Sequence, residues 1–198
     1  AKVIEKIKIN NDILKVDLNE IIKQAKEKFN LKNAKIVANL PYYITTPIIM
    51  KLLESKIDIT SITVMIQKEV ADRLAEIPGG KNTGAITYTV YYYGEPEKLL
   101  EVPKSSFIPE PSVTSEVIKI NIRKEPPVKV QNEERFFKLI KVAFLQRRKT
   151  LLNSLTNNGI SNKEELTQLL SKLNIDEKIR SEKLTIDQFA ELSNNLNT

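Results

Sequence analysis

The sequence predicts an α/β protein in two parts, a sheet-and-helix domain over residues 1–125 and a small all-helical domain over residues 126–198. Three observations lead there. As far as about Arg123, short apolar runs of strand length alternate with stretches of helical period, the pattern of a layered sheet. Glu125-Pro126-Pro127 then breaks the chain, because proline disfavours helix in the residue before it. Beyond that break every apolar pattern is helical.

The elements follow in order. Ile7-Lys8-Ile9 reads as a strand that runs into the turn Asn10-Asn11-Asp12, and a helix follows through Glu20 to Phe29. Lys35 to Ala38 is expected to be a buried strand, since Ile36-Val37-Ala38 is continuously apolar. Thr45-Thr46-Pro47 predicts a helix start, with threonine at the cap and proline at the first helical position. Ile48, Ile49, Leu52 and Leu53 then share one face. Ser61 to Ile66 is a further strand, and it leads into a helix over Gln67–Glu76 that Pro78-Gly79-Gly80 stops. Ile86–Tyr93 and Val113–Ile122 are rich in β-branched and aromatic residues and are predicted as strands, with a Pro-rich loop from Pro103 to Pro111 between them. Tyr91-Tyr92-Tyr93 would then alternate core and surface rings. In the second part, Asn132 caps a helix bearing Phe136, Phe137, Ile140, Val142 and Phe144. Ser161 with Glu164, and Thr185 with Gln188, make capping boxes ahead of two more helices.

Composition excludes several chemistries. With no cysteine there is no disulfide framework, iron–sulfur cluster or thiol nucleophile. With no histidine, Ser-His-Asp catalysis and most zinc sites are gone as well, and no metal is expected. No apolar run reaches membrane-spanning length and the first residues, mixed and charged, show no signal peptide, so no membrane association is expected. The net charge is +6, and it is uneven. Ten Lys or Arg and three Glu fall between Lys119 and Lys149, a local +7 that leaves about −1 for the rest. A solvated helix face is the ordinary explanation of a charge run. Concentration of the whole excess in one segment favours a polyanion-binding surface.

Asn39-Leu40-Pro41-Tyr42, directly after the apolar run, is the most informative stretch. Asn39 offers a side-chain carbonyl, Pro41 a backbone carbonyl on a residue with fixed φ, and Tyr42 a flat face for stacking. Two acceptors and a ring match the exocyclic amine and plane of an adenine. At average residue usage the tetrapeptide is expected in on the order of one chain in a thousand of this length. The alternative is a strand followed by a Pro-Tyr turn.

Five ordered blocks resemble the small-subunit ribosomal RNA adenine dimethyltransferases of the kasugamycin-sensitivity type. They are Asn11–Lys15, Ala38–Pro47, Met65–Ala71, Phe107–Ser115 and Ala143–Thr150. The resemblance implies a partial Rossmann-like methyltransferase sheet followed by a helical domain that binds ribosomal RNA. It implies S-adenosylmethionine as cofactor, and as substrate two neighbouring adenosines near the 3′ end of the small-subunit RNA. A nucleotide-type cofactor site in such a sheet normally has a Gly-rich turn after its first strand, yet none of the five glycines lies before Gly79. The chain is therefore expected to be truncated, opening near the third strand of the family's sheet and binding the cofactor weakly by itself.

The resemblance also assigns roles. Asn39, Pro41 and Tyr42 are the catalytic residues, and Asp12 and Asn39 contact the cofactor. Asp12 would accept from the cofactor's adenine amine; its alternative is a helix N-cap. Tyr42 stacks on the extruded adenine and Phe107 closes the other face, unless Phe107 only anchors its Pro-rich loop. For Tyr43, packing is the alternative to a part in the grip. Arg147, Arg148 and Lys149 contact RNA phosphates or, alternatively, pair with acidic residues. No chemical role is assigned to Gln67-Lys68-Glu69. The rival readings are a large-subunit adenine methylase of the macrolide-resistance type, and a non-catalytic ribosome assembly factor. A DNA adenine methylase is disfavoured by Leu40, where such grips carry a second proline.

Overall fold

A computed structural model describes residues 9–196, so the strand expected at Ile7-Lys8-Ile9 lies, but for its last residue, outside the described residues. The mixed α/β architecture read from the sequence is present. The elements run α1 (Leu18–Phe29), β1 (Lys35–Asn39), α2 (Thr45–Glu54), β2 (Ser61–Gln67), α3 (Lys68–Leu74), α4 (Ala85–Tyr93), β3 (Gly94–Val102) and β4 (Ser115–Ile122). Four helices follow: α5 (Glu133–Ala143), α6 (Leu151–Asn157), α7 (Lys163–Lys172) and α8 (Ile186–Asn195). The chain forms two compact units, one from the residues up to Lys68 with Glu97–Ile122, the other from Glu69–Pro96 with the residues from Arg123 onward.

The first unit is built on a four-stranded sheet in the order β1-β2-β4-β3. β1 and β2 are parallel and are joined through α2, while β2 and β4 are antiparallel. β2 and β4 are central and bury Ile62, Val64, Ile66, Ile118 and Ile120 almost completely. β1 is not the buried strand expected. Its Val37 is 79% exposed, and β1 is an edge strand of the described sheet with β2 as its neighbour there. β3 was not expected at all; its Pro96, glutamates and lysine suit an exposed edge strand and hide it from propensity arguments. Helix α2 begins at Thr45 after the N-cap Ile44, so Pro47 is the third helical residue, where its missing N–H is still not needed. Asp17 caps α1 by accepting from the Asn19 and Glu20 N–H groups at 2.9 and 3.1 Å.

The second unit is helical, and one region of it overturns the expectation. Residues 85–93 form α4, not a strand. Ile86 to Val90 and Tyr92 are all buried, so this helix is apolar nearly all round and carries no amphipathic stripe. Burial outweighs the β-propensity of Thr, Val and Tyr here. Its start is signalled by Gly84, whose N–H donates to Thr87 Oγ1 at 3.0 Å while its carbonyl accepts from Thr87 N–H at 3.0 Å. Tyr88 is fully buried, and its hydroxyl donates toward the Leu184 and Ser181 carbonyls at 2.7 and 3.2 Å. That burial pushes its phenol well above the ordinary tyrosine range. The caps expected at Asn132 and at Thr185 with Gln188 are present. At α7 the cap is one residue later than expected: Asn162 accepts from Glu165 N–H at 2.9 Å, and Ser161 bonds the Glu165 side chain. Among the described residues no helix is long and apolar enough to cross a membrane.

Candidate functional site

Register brings the candidate residues to one edge of the sheet. Asn39, the last residue of β1, lies opposite Met65, and Ser115, the first residue of β4, lies opposite Gln67, the last of β2. The main chain continues this order past the strands: Leu40 N–H donates to Met65 O at 3.3 Å and Lys68 N–H to Thr114 O at 3.0 Å. The carboxyl ends of two parallel strands therefore meet the start of an antiparallel one, the edge at which open α/β sheets present ligand sites.

Within the tetrapeptide, alternation does the positioning. Leu40 is buried and pins the segment to the core, while Asn39 and Pro41 on either side are exposed. The Asn39 amide has no hydrogen-bond partner among the described residues. A 3₁₀ turn over Tyr42–Ile44 carries the chain into α2. The Tyr42 hydroxyl lies 2.6 Å from the hydroxyl of Ser115, a fully buried residue, and this bond fixes the half-buried ring. Asn39, Leu40, Pro41 and Tyr42 line an open cleft of about 360 Å³ together with Phe107, Pro109 and Pro111. In the Pro-rich loop that carries the last three, Lys104 and Glu110 form an exposed ion pair at 3.4 Å.

One expectation needs correction. The Pro41 carbonyl already accepts from Ile44 N–H at 3.2 Å and from Thr45 Oγ1 at 3.0 Å. Both of its lone pairs are thus used in turning the chain, and it is not an open acceptor. The Leu40 carbonyl, one residue earlier, has no such bond among the described residues. Tyr43 does not pack; it is 85% exposed.

Asp12 sits on an exposed turn, where its Oδ1 accepts from Leu14 N–H at 2.9 Å. It is an Asx turn, not the cap of α1. Its second oxygen is left without a partner among the described residues, so the turn presents a fixed acceptor of the kind an adenine amine needs. In this respect the residues present fit S-adenosylmethionine. The turn is tied to α2 by Lys51, whose Nζ donates to the Leu14 and Val16 carbonyls at 2.8 and 2.9 Å. Lys68 pairs with Glu101 and lies 3.8 Å from the buried Glu116, which gives its block a structural part: tying the end of β2 to β4 and β3.

In the second unit, Arg147, Arg148 and Lys149 are exposed on the turn between α5 and α6, closed by Lys149 N–H to Gln146 O at 2.9 Å. With Leu145, Gln146 and Asn157 they line an open cavity of about 540 Å³. The basic footprint is narrower than the charge count suggests. Arg123 is spent on Glu95 at 2.5 Å and on the Tyr91 carbonyl, and Arg135 reaches the Leu196 carbonyl.

Sequence reasoning missed Ser115 and Lys51 as supports of the site. Ser115 closes a block already singled out, but nothing local shows that its hydroxyl faces a tyrosine 73 residues away.

The family model described as ribosomal RNA adenine dimethylase matches residues 2–198. The ribosomal RNA small subunit methyltransferase A of Clostridioides difficile (strain 630) is 52% identical over 190 residues, which are 96% of this chain and 65% of that one. Its counterpart in Alkaliphilus oremlandii (strain OhILAs) is 51% identical over 95% of this chain and 65% of that one. The chain thus spans 65% of the length of these curated relatives. Two crystal structures share the fold. A dimethyladenosine transferase from Plasmodium falciparum has a TM-score of 0.65 at 24% identity, over 88% of this chain and 76% of that one. The 23S rRNA methyltransferase ErmE has a TM-score of 0.59 at 19% identity, over 91% and 78%.

Proposed function

The chain belongs to the ribosomal RNA adenine dimethylase family, and on that premise we propose that it serves N6,N6-dimethylation of two neighbouring adenosines in small-subunit ribosomal RNA. One observation carries the reading. An unpaired Asn39 amide and a Leu40 carbonyl stand beside a tyrosine ring held by Ser115, all at one edge of an open cleft.

The chemistry follows from the substrate. The lone pair of an adenine amine is delocalised into the ring and is a poor nucleophile. Asn39 Oδ1 and the Leu40 carbonyl accept its two N–H groups, favour a pyramidal nitrogen and aim the lone pair. Pro41 contributes by fixing the turn, since its φ is −60° and its carbonyl holds the first residues of α2. The Tyr42 ring stacks on the extruded base and Phe107, which lines the same cleft, covers its other face. S-adenosylmethionine, when bound, supplies a methyl group on a positively charged sulfur, already activated for transfer; Asp12 and Asn39 are the residues proposed to hold it. Positioning then supplies most of the catalysis. The methylated amine is acidic and gives its proton to solvent, so the lack of histidine is no obstacle. The product of one transfer keeps one N–H, and a second transfer can follow.

Residues 126–198 are proposed as the RNA-binding part, with Arg147, Arg148 and Lys149 on phosphates, and a cytoplasmic monomer as the working form. The test uses the full gene product with labelled S-adenosylmethionine and separated ribosomal subunits. Label recovered as N6,N6-dimethyladenosine in small-subunit RNA is expected. Label confined to large-subunit RNA, or subunit binding with no label, would replace this reading with one of its rivals.

A further inference from the structure

The cleft has two neighbours that its chemistry does not use. Among the large apolar side chains described, the two most exposed are Ile108, fully exposed at 101%, and Tyr43 at 85%. Each is a chain neighbour of residues that line the same cleft. Tyr43 follows Tyr42, whose ring is tied inward to Ser115, and Ile108 lies between the cleft-lining Phe107 and Pro109. A single exposed apolar residue is ordinary on a protein surface, but the two extremes of exposure flanking one cleft are not.

Both sit on constrained main chain. Ile108 is β-branched and has few rotamers, and it sits in a loop with Pro103, Pro109 and Pro111 that Lys104 and Glu110 brace. Tyr43 lies within the 3₁₀ turn closed on the Pro41 carbonyl. Rigid apolar groups in water gain most when a partner covers them, because little freedom is left to lose.

We propose that Ile108 and Tyr43 form an apolar clamp on the RNA beside the target adenosine. Ile108 enters the base step that the extruded adenine vacates, and Tyr43 stacks on the neighbouring base that extrusion uncovers. The clamp rests on the reading of the cleft as an adenine grip. Extrusion breaks stacking, and proteins that distort nucleic acids commonly offset this by wedging an isoleucine, leucine or phenylalanine into the opened step. Burying one such side chain returns free energy of the same order as unstacking one step. An aromatic face adds stacking on any base, whatever its identity.

The experiment compares three RNA hairpins with the protein and with the double variant Ile108→Ala/Tyr43→Ala. In the first the target adenosine is stacked within the stem, in the second it is a single-nucleotide bulge already outside the stack, and in the third it is replaced by uridine. The variant should bind the stacked hairpin about tenfold more weakly and the bulged one within about twofold, since the bulge leaves no step to fill. Ile108→Leu/Tyr43→Phe should restore binding, and the melting temperature should not move in either variant. Equal weakening on both adenosine hairpins, or no weakening on either, overturns the clamp while leaving the grip intact. If the unaltered protein does not prefer adenosine to uridine, the adenine reading itself falls and takes the clamp with it.

Discussion

Whether the Tyr42 ring is a fixed platform can be decided by removing either end of its bond to Ser115. The two hydroxyls are 2.6 Å apart, and Ser115 is fully buried whereas Tyr42 is half-buried. In Ser115→Ala the tyrosine hydroxyl can turn to water, so the cost is that of one neutral hydrogen bond, about 1 kcal/mol. In Tyr42→Phe the serine hydroxyl is stranded without water, and the cost rises to about 1–3 kcal/mol. For a chain of this size each 1 kcal/mol corresponds to a fall of roughly 2–4 °C in Tm. Because both substitutions break the same bond, the double variant should cost less than the sum by about 1 kcal/mol. The assay is urea denaturation of the protein, both single variants and the double. Methyl transfer, measured in parallel on the full gene product, should fall in Ser115→Ala although that side chain lines no part of the cleft. Strict additivity of the two stability losses would refute the claim that this bond holds the ring.

Three further outcomes follow from the bonds of the same structure. Tyr88→Phe should destabilise the second unit by about 1–3 kcal/mol, seen as a lower urea midpoint, because the Leu184 and Ser181 carbonyls lose a buried donor. Lys51→Met should speed amide hydrogen exchange in the segment from Leu14 to Val16 by about tenfold, since its two charge-assisted bonds hold that turn to α2. Joint replacement of Arg147, Arg148 and Lys149 by alanine should flatten the plot of log affinity for RNA against log salt by about 2 units of slope, read by binding titrations at several salt concentrations.

The legible parts of this molecule were those whose partners are close in the chain. The caps at Asn132 and Thr185 depend on a residue three places on, and the four consecutive residues from Asn39 to Tyr42 line one cleft. What escaped is decided elsewhere in the chain. Helix α4 is written in strand-forming residues and becomes a helix because nearly all its faces are buried. β3 carries proline and charge and joins the sheet as an edge strand. The Pro41 carbonyl reads as an adenine acceptor from its place in the tetrapeptide; Thr45 Oγ1 and the Ile44 N–H occupy it instead, which only backbone geometry reveals.

The most direct measurement is methyl transfer by Asn39→Ala in the full gene product, set against RNA affinity in the same preparation. Asn39 is exposed and unpaired among the described residues, so its loss should leave stability unchanged. Removing one acceptor from the reacting amine should lower kcat by about a hundredfold or more, with affinity for RNA held within about threefold. Near-parental turnover in that variant would contradict the account at its centre.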